Sequence, residues 1–225
     1  VHMLLVEDDD RMAQALATAL ARRGHTVRRV IRAAEALRHA REAEFVLLDL
    51  GLPDLDGLDL LRKLRTVCAL PLIVVTARSE ERDVLQALRA GADDYVVKPF
   101  RMAELIARID TVRRRTGSAP EPGGGERQVR TGDVAIDPAA RTVTVDGSPV
   151  RLTRREFDVL ALLAEQPGDV RSREEILDRI WGDAFLASSR SLDVHVAGIR
   201  AKTGRPALVR TIRGYGYQLG ALDGP

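Results

Sequence analysis

The chain has 225 residues, 45% apolar and 30% charged, with 28 Gly plus Pro (18 + 10), an ordinary globular mix and long enough for one or two domains. A single cysteine, Cys68, excludes an internal disulfide and a cysteine-based zinc site, and no apolar run nears the roughly 18 residues a membrane helix needs. Net charge is only +2, and residues 1–116 hold 20 Lys/Arg against 18 Asp/Glu while the remainder hold 15 against 15, so any basic patch must be local. Acidic residues begin at Glu7, which does not read as a secretory leader, and a reducing, cytoplasmic compartment is expected.

The first half alternates. Leu4-Val6 reads as a strand; Met12, Ala15, Leu16, Ala19 and Leu20 recur at helical spacing up to Gly24. Thr26-Ile31 predicts a strand, Ala33-Arg41 a helix, Phe45-Leu48 a wholly apolar strand and Leu58-Leu64 a helix. Leu72-Thr76 is another strand, Val84, Leu85 and Leu88 mark a helix, Tyr95-Val97 is the fifth strand, and Met102, Leu105, Ile106, Ile109 and Val112 form a last helical stripe. Five apolar strands alternating with five helices predict a doubly wound α/β domain over 1–115 with a parallel five-stranded sheet.

A flexible linker is expected over 116–127, around the Pro/Gly-rich TGSAPEPGGGE, before a second domain over 128–221. There, Val134-Ile136, Thr142-Val145 and Val150-Leu152 read as short strands. Thr153-x-x-Glu156 and Ser172-x-x-Glu175 read as capping boxes opening two helices. A third helix is expected from about Ser189 to Thr203, then a hairpin of Leu208-Arg213 and Tyr217-Leu219 around Gly214-Tyr215-Gly216. The pattern predicts an α+β winged helix-turn-helix.

In a parallel sheet, ligands sit at the carboxyl ends of the strands. Glu7 and Asp8, Asp49, Thr76 and Lys98 all follow or close a strand of the first domain. Taken singly, an Asp after a strand is commonly a turn or helix cap; the ordered set is what carries chemistry. Clustered carboxylates repel unless a cation is present, and hard oxygen ligands suit Mg²⁺. A carboxylate can also attack a phosphoryl group. Asp49, after the most apolar strand, is the candidate nucleophile; Glu7 and Asp8 are the candidate metal holders, with Lys98 and Thr76 for the phosphoryl oxygens.

LLVEDD, Asp49-x-x-x-Pro53-x-x-Asp56-Gly57, Thr76-Ala77 and GADDYVVKPF resemble the receiver domain of bacterial response regulators, a flavodoxin-like fold. LTRREFDVLALLAEQPG, RSLDVHVAGIR and VRTIRGYGYQL resemble the DNA-binding effector domain of the OmpR/PhoB class. The resemblance implies that Asp49 accepts phosphate from a sensor histidine kinase without turnover chemistry of its own. It implies that the Gly51 carbonyl joins Glu7, Asp8 and Asp49 around Mg²⁺, and that Tyr95 swings inward as Thr76 moves. It further implies a homodimer through the last helix–strand–helix face of the receiver, with pairs Asp94–Arg108 and Asp93–Arg115. A third pair from Glu104 is broken because Val84 stands where the family carries a basic residue.

Residues 186–219 hold six Lys/Arg and one Asp, a local charge of 6 − 1 = +5. In the third helix Leu192, Val196, Ile199 and Thr203 predict a buried face, leaving Arg190, Val194, Ala197 and Ala201 outward between Asp193 and Arg200, with His195 at the boundary. Such a face suits the major groove of double-stranded promoter DNA, with Arg213 and Thr211 in the hairpin beside it. Gly198, where the family usually carries Arg, predicts weaker or altered DNA binding. Two other readings stand beside this one: a phosphatase using Asp54-x-Asp56, weakened by Pro53 and the gap from the strand, and a C-terminal half that binds a protein rather than DNA.

Overall fold

The computed structural model describes residues 1–117, 128–181 and 191–222, with the side chains of 114–117 and 191 left aside. The chain divides into two compact units, 1–117 and 118–225. From residue 118 on, the expected linker lies outside the described residues; residues 116 and 117 instead close a helix.

Unit 1 runs β1 (His2–Val6), α1 (Asp10–Ala21), β2 (Thr26–Val30), α2 (Ala33–His39), β3 (Phe45–Leu48), α3 (Gly57–Val67), β4 (Leu72–Thr76), α4 (Glu81–Arg89), β5 (Asp94–Val97) and α5 (Met102–Gly117). Its five strands are all parallel, in the order β2-β1-β3-β4-β5. Alternation splits the sheet's two faces. Met3, Leu5, Phe45, Leu47, Ile73, Val75 and Val96 pack with Ala13, Leu16 and Leu20 of α1 and Leu105, Ile109 and Val112 of α5. Leu4, Val6, Val46, Leu48 and Val74 point the other way and are equally buried. This two-sided burial explains the uninterrupted apolar strands. The β2 strand departs from that pattern because it lies at the edge; its exposures alternate, and Arg28 and Arg29 fit there.

One helix is rotated from its expected setting. The α1 helix starts at Asp10, with Asp9 as N-cap accepting from the Met12 N–H at 2.8 Å. Its buried residues are Ala13, Leu16 and Leu20, whereas Ala15 is exposed.

Unit 2 opens with an antiparallel sheet of β6 (Val129–Thr131), β7 (Val134–Asp137), β8 (Thr142–Val145) and β9 (Ser148–Pro149). The strand expected at 150–152 therefore forms two residues earlier. Asp146 and Gly147 both have positive φ, 49° and 72°, which is the two-residue hairpin turn that sets the register Thr144↔Pro149. Helices α6 (Arg154–Ala164), α7 (Arg173–Trp181) and α8 (Ser191–Thr203) follow, then β11 (Val209–Ile212) and β12 (Gly216–Leu219). The short β10 (Val170–Ser172) pairs with β12, so the terminal hairpin is part of a three-stranded sheet, β10-β12-β11. Thr153 and Glu156 form the expected reciprocal capping box. At α7 only half of the second box forms: Ser172 accepts from the Glu175 N–H, while the Glu175 carboxylate turns to Arg171. Phe157, Leu160, Ile176, Ile180, Trp181, Leu192, Val196, Ile199, Leu208 and Leu219 share the core.

The loop from β3 to α3 is pinned by a close approach. A Cβ on Gly57 would run into the backbone Cα of Leu50, immediately after Asp49. Alanine normally favours a helix over glycine by about 1 kcal/mol. Here steric overlap with backbone should reverse the sign. Gly57→Ala is expected to destabilise unit 1 by about 1–3 kcal/mol in urea unfolding; a stabilised variant would refute the close packing.

Candidate functional site

The strand order places the site. β1 and β3 are neighbours, and the chain order reverses there, so the residues that follow these strands flank a crevice at the carboxyl edge. The carboxylates of Glu7, Asp8 and Asp49 each bring an oxygen within 4.8 Å of the others. Lys98, after β5, reaches across to donate to Asp49 Oδ2 at 2.6 Å and Glu7 Oε2 at 2.7 Å. Asp49 Oδ1 accepts from the Gly51 N–H at 3.0 Å. Thr76, the last residue of β4, is buried, and its Oγ1 lies 3.4 Å from the Arg78 backbone nitrogen that donates to it. Sequence separations of up to 91 residues thus collapse onto one edge.

The electrostatics divide the two buried acids. Burial would push Asp49 up, but hydrogen bonds from Lys98 and the Gly51 N–H, the Lys98 charge and the Thr76 hydroxyl together hold it below the usual carboxylate range. Burial wins at Glu7 and lifts it despite Lys98. Burial disfavours the charged Lys98, yet its bonds and charges from Asp49 and Glu7 outweigh this and raise it, so it stays an ammonium. The site thus sets an Asp49 carboxylate of low basicity beside a fixed cation. Three carboxylates with hard oxygen donors, partly open to solvent at Asp8, also suit a divalent cation.

Tyr95 already lies inward. It is 9% exposed, donates from its hydroxyl to the Arg78 carbonyl at 2.8 Å, and is pushed up to about 12 by burial and then by the Asp83 charge. Arg78 also donates to Asp56 Oδ2 at 2.7 Å and to the Leu50 carbonyl at 3.3 Å. Asp54 and Asp56 are both engaged as caps. Asp54 accepts from the Ala33 N–H at 2.9 Å, capping α2 from another loop, and Asp56 accepts from the Leu58 N–H at the start of α3. Their geometry does not support the phosphatase reading.

The proposed dimer residues fare unevenly. Arg108 bonds Asp94 at 3.0 Å and Glu104 at 2.9 Å within the same chain. Asp93 is fully buried, binding Arg65 at 2.9 Å and the Leu72 N–H at 2.8 Å, so it faces inward rather than toward a second copy. The Arg115 side chain lies outside the described residues, and Val84 is half-buried on α4.

In unit 2 the outward face of α8 needs correction. Val194 is 7% exposed and His195 1%, the latter stacked on Trp181 with ring centroids 5.6 Å apart. A helical-wheel projection assumes one buried side, whereas the first turn of α8 is enclosed from several. Asp193 is held by the Arg173 guanidinium at 2.6 and 3.0 Å and accepts from the Tyr217 hydroxyl. Arg200 donates to the Val209 carbonyl at 2.6 Å and to Thr211 Oγ1 at 2.8 Å, so it braces β11. Gly198 faces α6, not solvent alone: a Cβ there would strike Glu156 Oε1, the carboxylate that closes the capping box and binds Lys202 at 2.6 Å. Its smallness is explained by packing. Ala197 and Arg213 are exposed as expected, together with Ala201, Arg210 and Tyr215; Arg190 lies outside the described residues.

Both units resemble known proteins. Residues 3–110 match the response regulator receiver domain, and residues 147–219 match the C-terminal domain of transcriptional regulatory proteins. The chain is 38% identical over 223 residues to the sensory transduction protein RegX3 of Mycolicibacterium smegmatis, covering 96% of this chain and 98% of RegX3. It is 39% identical over 227 residues to the transcriptional regulatory protein AfsQ1 of Streptomyces coelicolor, covering 96% and 97%. Among solved structures, a mutant of RitR aligns with TM-score 0.77 at 25% identity, covering 97% and 98% of the two chains. The Thermotoga maritima OmpR/PhoB homologue DrrB aligns with TM-score 0.53 at 29% identity over the same shares.

Lys98 carries a pH prediction. In Lys98→Met, Glu7 and Asp49 face each other without a cation, so both folded-state pKa values rise. Stability gained from raised carboxylates is present below their ordinary range and lost as pH climbs through the raised values. The melting deficit of metal-free Lys98→Met against wild type should therefore be larger at about pH 7.5 than at about pH 5. An equal deficit at both would contradict the geometry.

Proposed function

The chain belongs to the response regulators that join a receiver domain to a C-terminal transcriptional regulatory domain, and from that premise we propose that it is a transcription regulator switched by phosphorylation of Asp49. The observation that carries this reading is the placement of Asp49, kept ionised between Lys98 and the Gly51 N–H at the carboxyl edge of the sheet.

The phosphoryl donor is a phosphohistidine on a sensor kinase or a small acyl phosphate. An Asp49 oxygen forms the new P–O bond as the donor's bond to phosphorus breaks, and the leaving group departs with its electron pair. Mg²⁺, held by Glu7, Asp8, Asp49 and the Gly51 carbonyl, would supply positive charge to the phosphoryl oxygens. Lys98 is placed to shift from the Asp49 carboxylate to a phosphoryl oxygen once that carboxylate is esterified. Thr76 offers its hydroxyl to another. Because Thr76 is linked through Arg78 to the Tyr95 hydroxyl, a new partner for Thr76 would bias that group of contacts.

The output is binding of double-stranded promoter DNA by unit 2, with Ala197 and Ala201 of α8 toward the major groove and the β11–β12 hairpin, with Arg213, alongside. Dimerisation through α4, β5 and α5 would exchange the Asp94–Arg108 pair between copies, without Asp93. No helix among the described residues is long and apolar enough to cross a membrane, and a cytoplasmic place of action suits both kinase and DNA.

Intact mass after incubation with Mg²⁺ and an acyl phosphate tests the acceptor. Wild type should gain one phosphoryl group and Asp49→Ala none; equal labelling of both would place the acceptor elsewhere. For the output, Arg213→Ala should weaken binding to DNA of any sequence and lower the salt slope by about 1. An unchanged slope would remove the hairpin from the interface.

A further inference from the structure

Four acidic residues in a row, Glu7 to Asp10, lead from β1 into α1. Like charges this close repel, and the backbone that carries them has left the sheet. The β1–β2 ladder ends where the Glu7 N–H donates to the Val30 carbonyl at 3.1 Å. Beyond that point the carbonyls of Glu7 and Asp8 have no strand opposite them. Arg29, on the edge strand β2, supplies the donors instead. Its Nε donates to the Glu7 carbonyl at 3.0 Å, one terminal nitrogen to the Asp8 carbonyl at 2.9 Å, and the other to Asp10 Oδ1 at 2.7 Å. One planar guanidinium thus holds three acceptors along a single loop, a geometry the fork of an arginine can meet and a lysine cannot.

The four acids have separate duties. Asp9 is spent capping α1 and Asp10 is spent on Arg29. Glu7 and Asp8 are the two whose carboxylates gather with Asp49. Their backbone carbonyls are the ones Arg29 grips.

We infer that Arg29 is a positioning residue for the cation-binding acids, fixing the loop so that the Glu7 and Asp8 carboxylates are presented together with Asp49. The inference rests on the reading of that cluster as a divalent-cation site. Groups that orient ligands from behind are worth roughly 10–100-fold in metal affinity.

The sign of the effect separates positioning from plain electrostatics. Arg29 is a positive charge near a cation site. If charge were its only contribution, removing it would tighten cation binding, and Arg29→Lys would leave it unchanged. If it positions the loop, both variants should weaken binding, by about tenfold for Arg29→Met and by less for Arg29→Lys.

The probe is Mn²⁺, which takes the same oxygen donors, counted as free ion by its EPR signal against the full-length protein. Thermal melting without metal is recorded alongside. Weaker Mn²⁺ binding in both variants, at a temperature where each is folded, is the expected result. Equal or tighter binding in a folded variant overturns the inference. Should Arg29→Met fail to fold, Arg29→Lys alone decides, because unchanged affinity there is the electrostatic outcome. If wild type itself fails to bind Mn²⁺, or binds it no better than Asp8→Ala, the cation site is what fails.

Discussion

Everything at the carboxyl edge of the first unit depends on one ammonium set between two buried carboxylates. Glu7 and Asp49 arrive from neighbouring strands, and each loses water on the way in. Without a cation, two such groups could not both ionise. Lys98 comes from the far strand, β5, and so the contact also ties β5 across β4 and β3 to β1. The result is asymmetric: Asp49 has three kinds of donor and stays acidic, while Glu7 is lifted by burial. That asymmetry supports the nucleophile's part proposed for Asp49.

A second constraint shapes unit 2. The face that reads a nucleic acid must be held by neighbours, and here the first turn of α8 is gripped from two sides. Arg173 at the start of α7 and Tyr217 of β12 both bind Asp193, while Arg200 near the far end bonds β11. Helix and hairpin are therefore coupled through side chains that helical periodicity alone assigns to the groove. Of the residues expected to face outward on α8, Ala197 and Ala201 are small and exposed, and Arg210 and Arg213 are exposed on the hairpin.

Much of this is legible in the chain. Continuous apolar strands announce a parallel sheet, and the rule that ligands gather at carboxyl ends brings Glu7, Asp8, Asp49, Thr76 and Lys98 together from sequence alone. What is not legible has specific causes. The Asp146-Gly147 turn fixes its strand by backbone conformation, two residues ahead of the apolar run that suggests one. Val194 escapes because periodicity sees a helix's own faces and not how many neighbours enclose them. Asp93 and Asp94 look alike in sequence, yet one is fully buried against Arg65 and the other bonds Arg108. Gly198 reads as a missing DNA contact, whereas Glu156 from a segment 42 residues earlier (198 − 156) fills the space. The last three failures concern which distant group arrives at a given side chain, information that local pattern does not hold.

The uneven use of lysine and arginine makes the same point in chemical terms. Lysine occurs only at 63, 98 and 202, leaving 32 of 35 basic residues as arginine. Two of those three lysines serve buried carboxylates: Lys98 for Glu7 and Asp49, Lys202 for Glu156. Arginines serve where several acceptors must be bridged at once. Arg29 takes two carbonyls and a carboxylate, Arg65 takes the Gly91 and Leu70 carbonyls with Asp93, and Arg200 takes a carbonyl and a hydroxyl. A planar fork locks loops and strands in register, and a compact ammonium can turn from one oxygen to another without disturbing the backbone. At position 98 the second property is the one the proposed phosphorylation would require, since esterification of Asp49 would change the oxygens that Lys98 meets. An arginine there would brace the closed arrangement and resist that exchange.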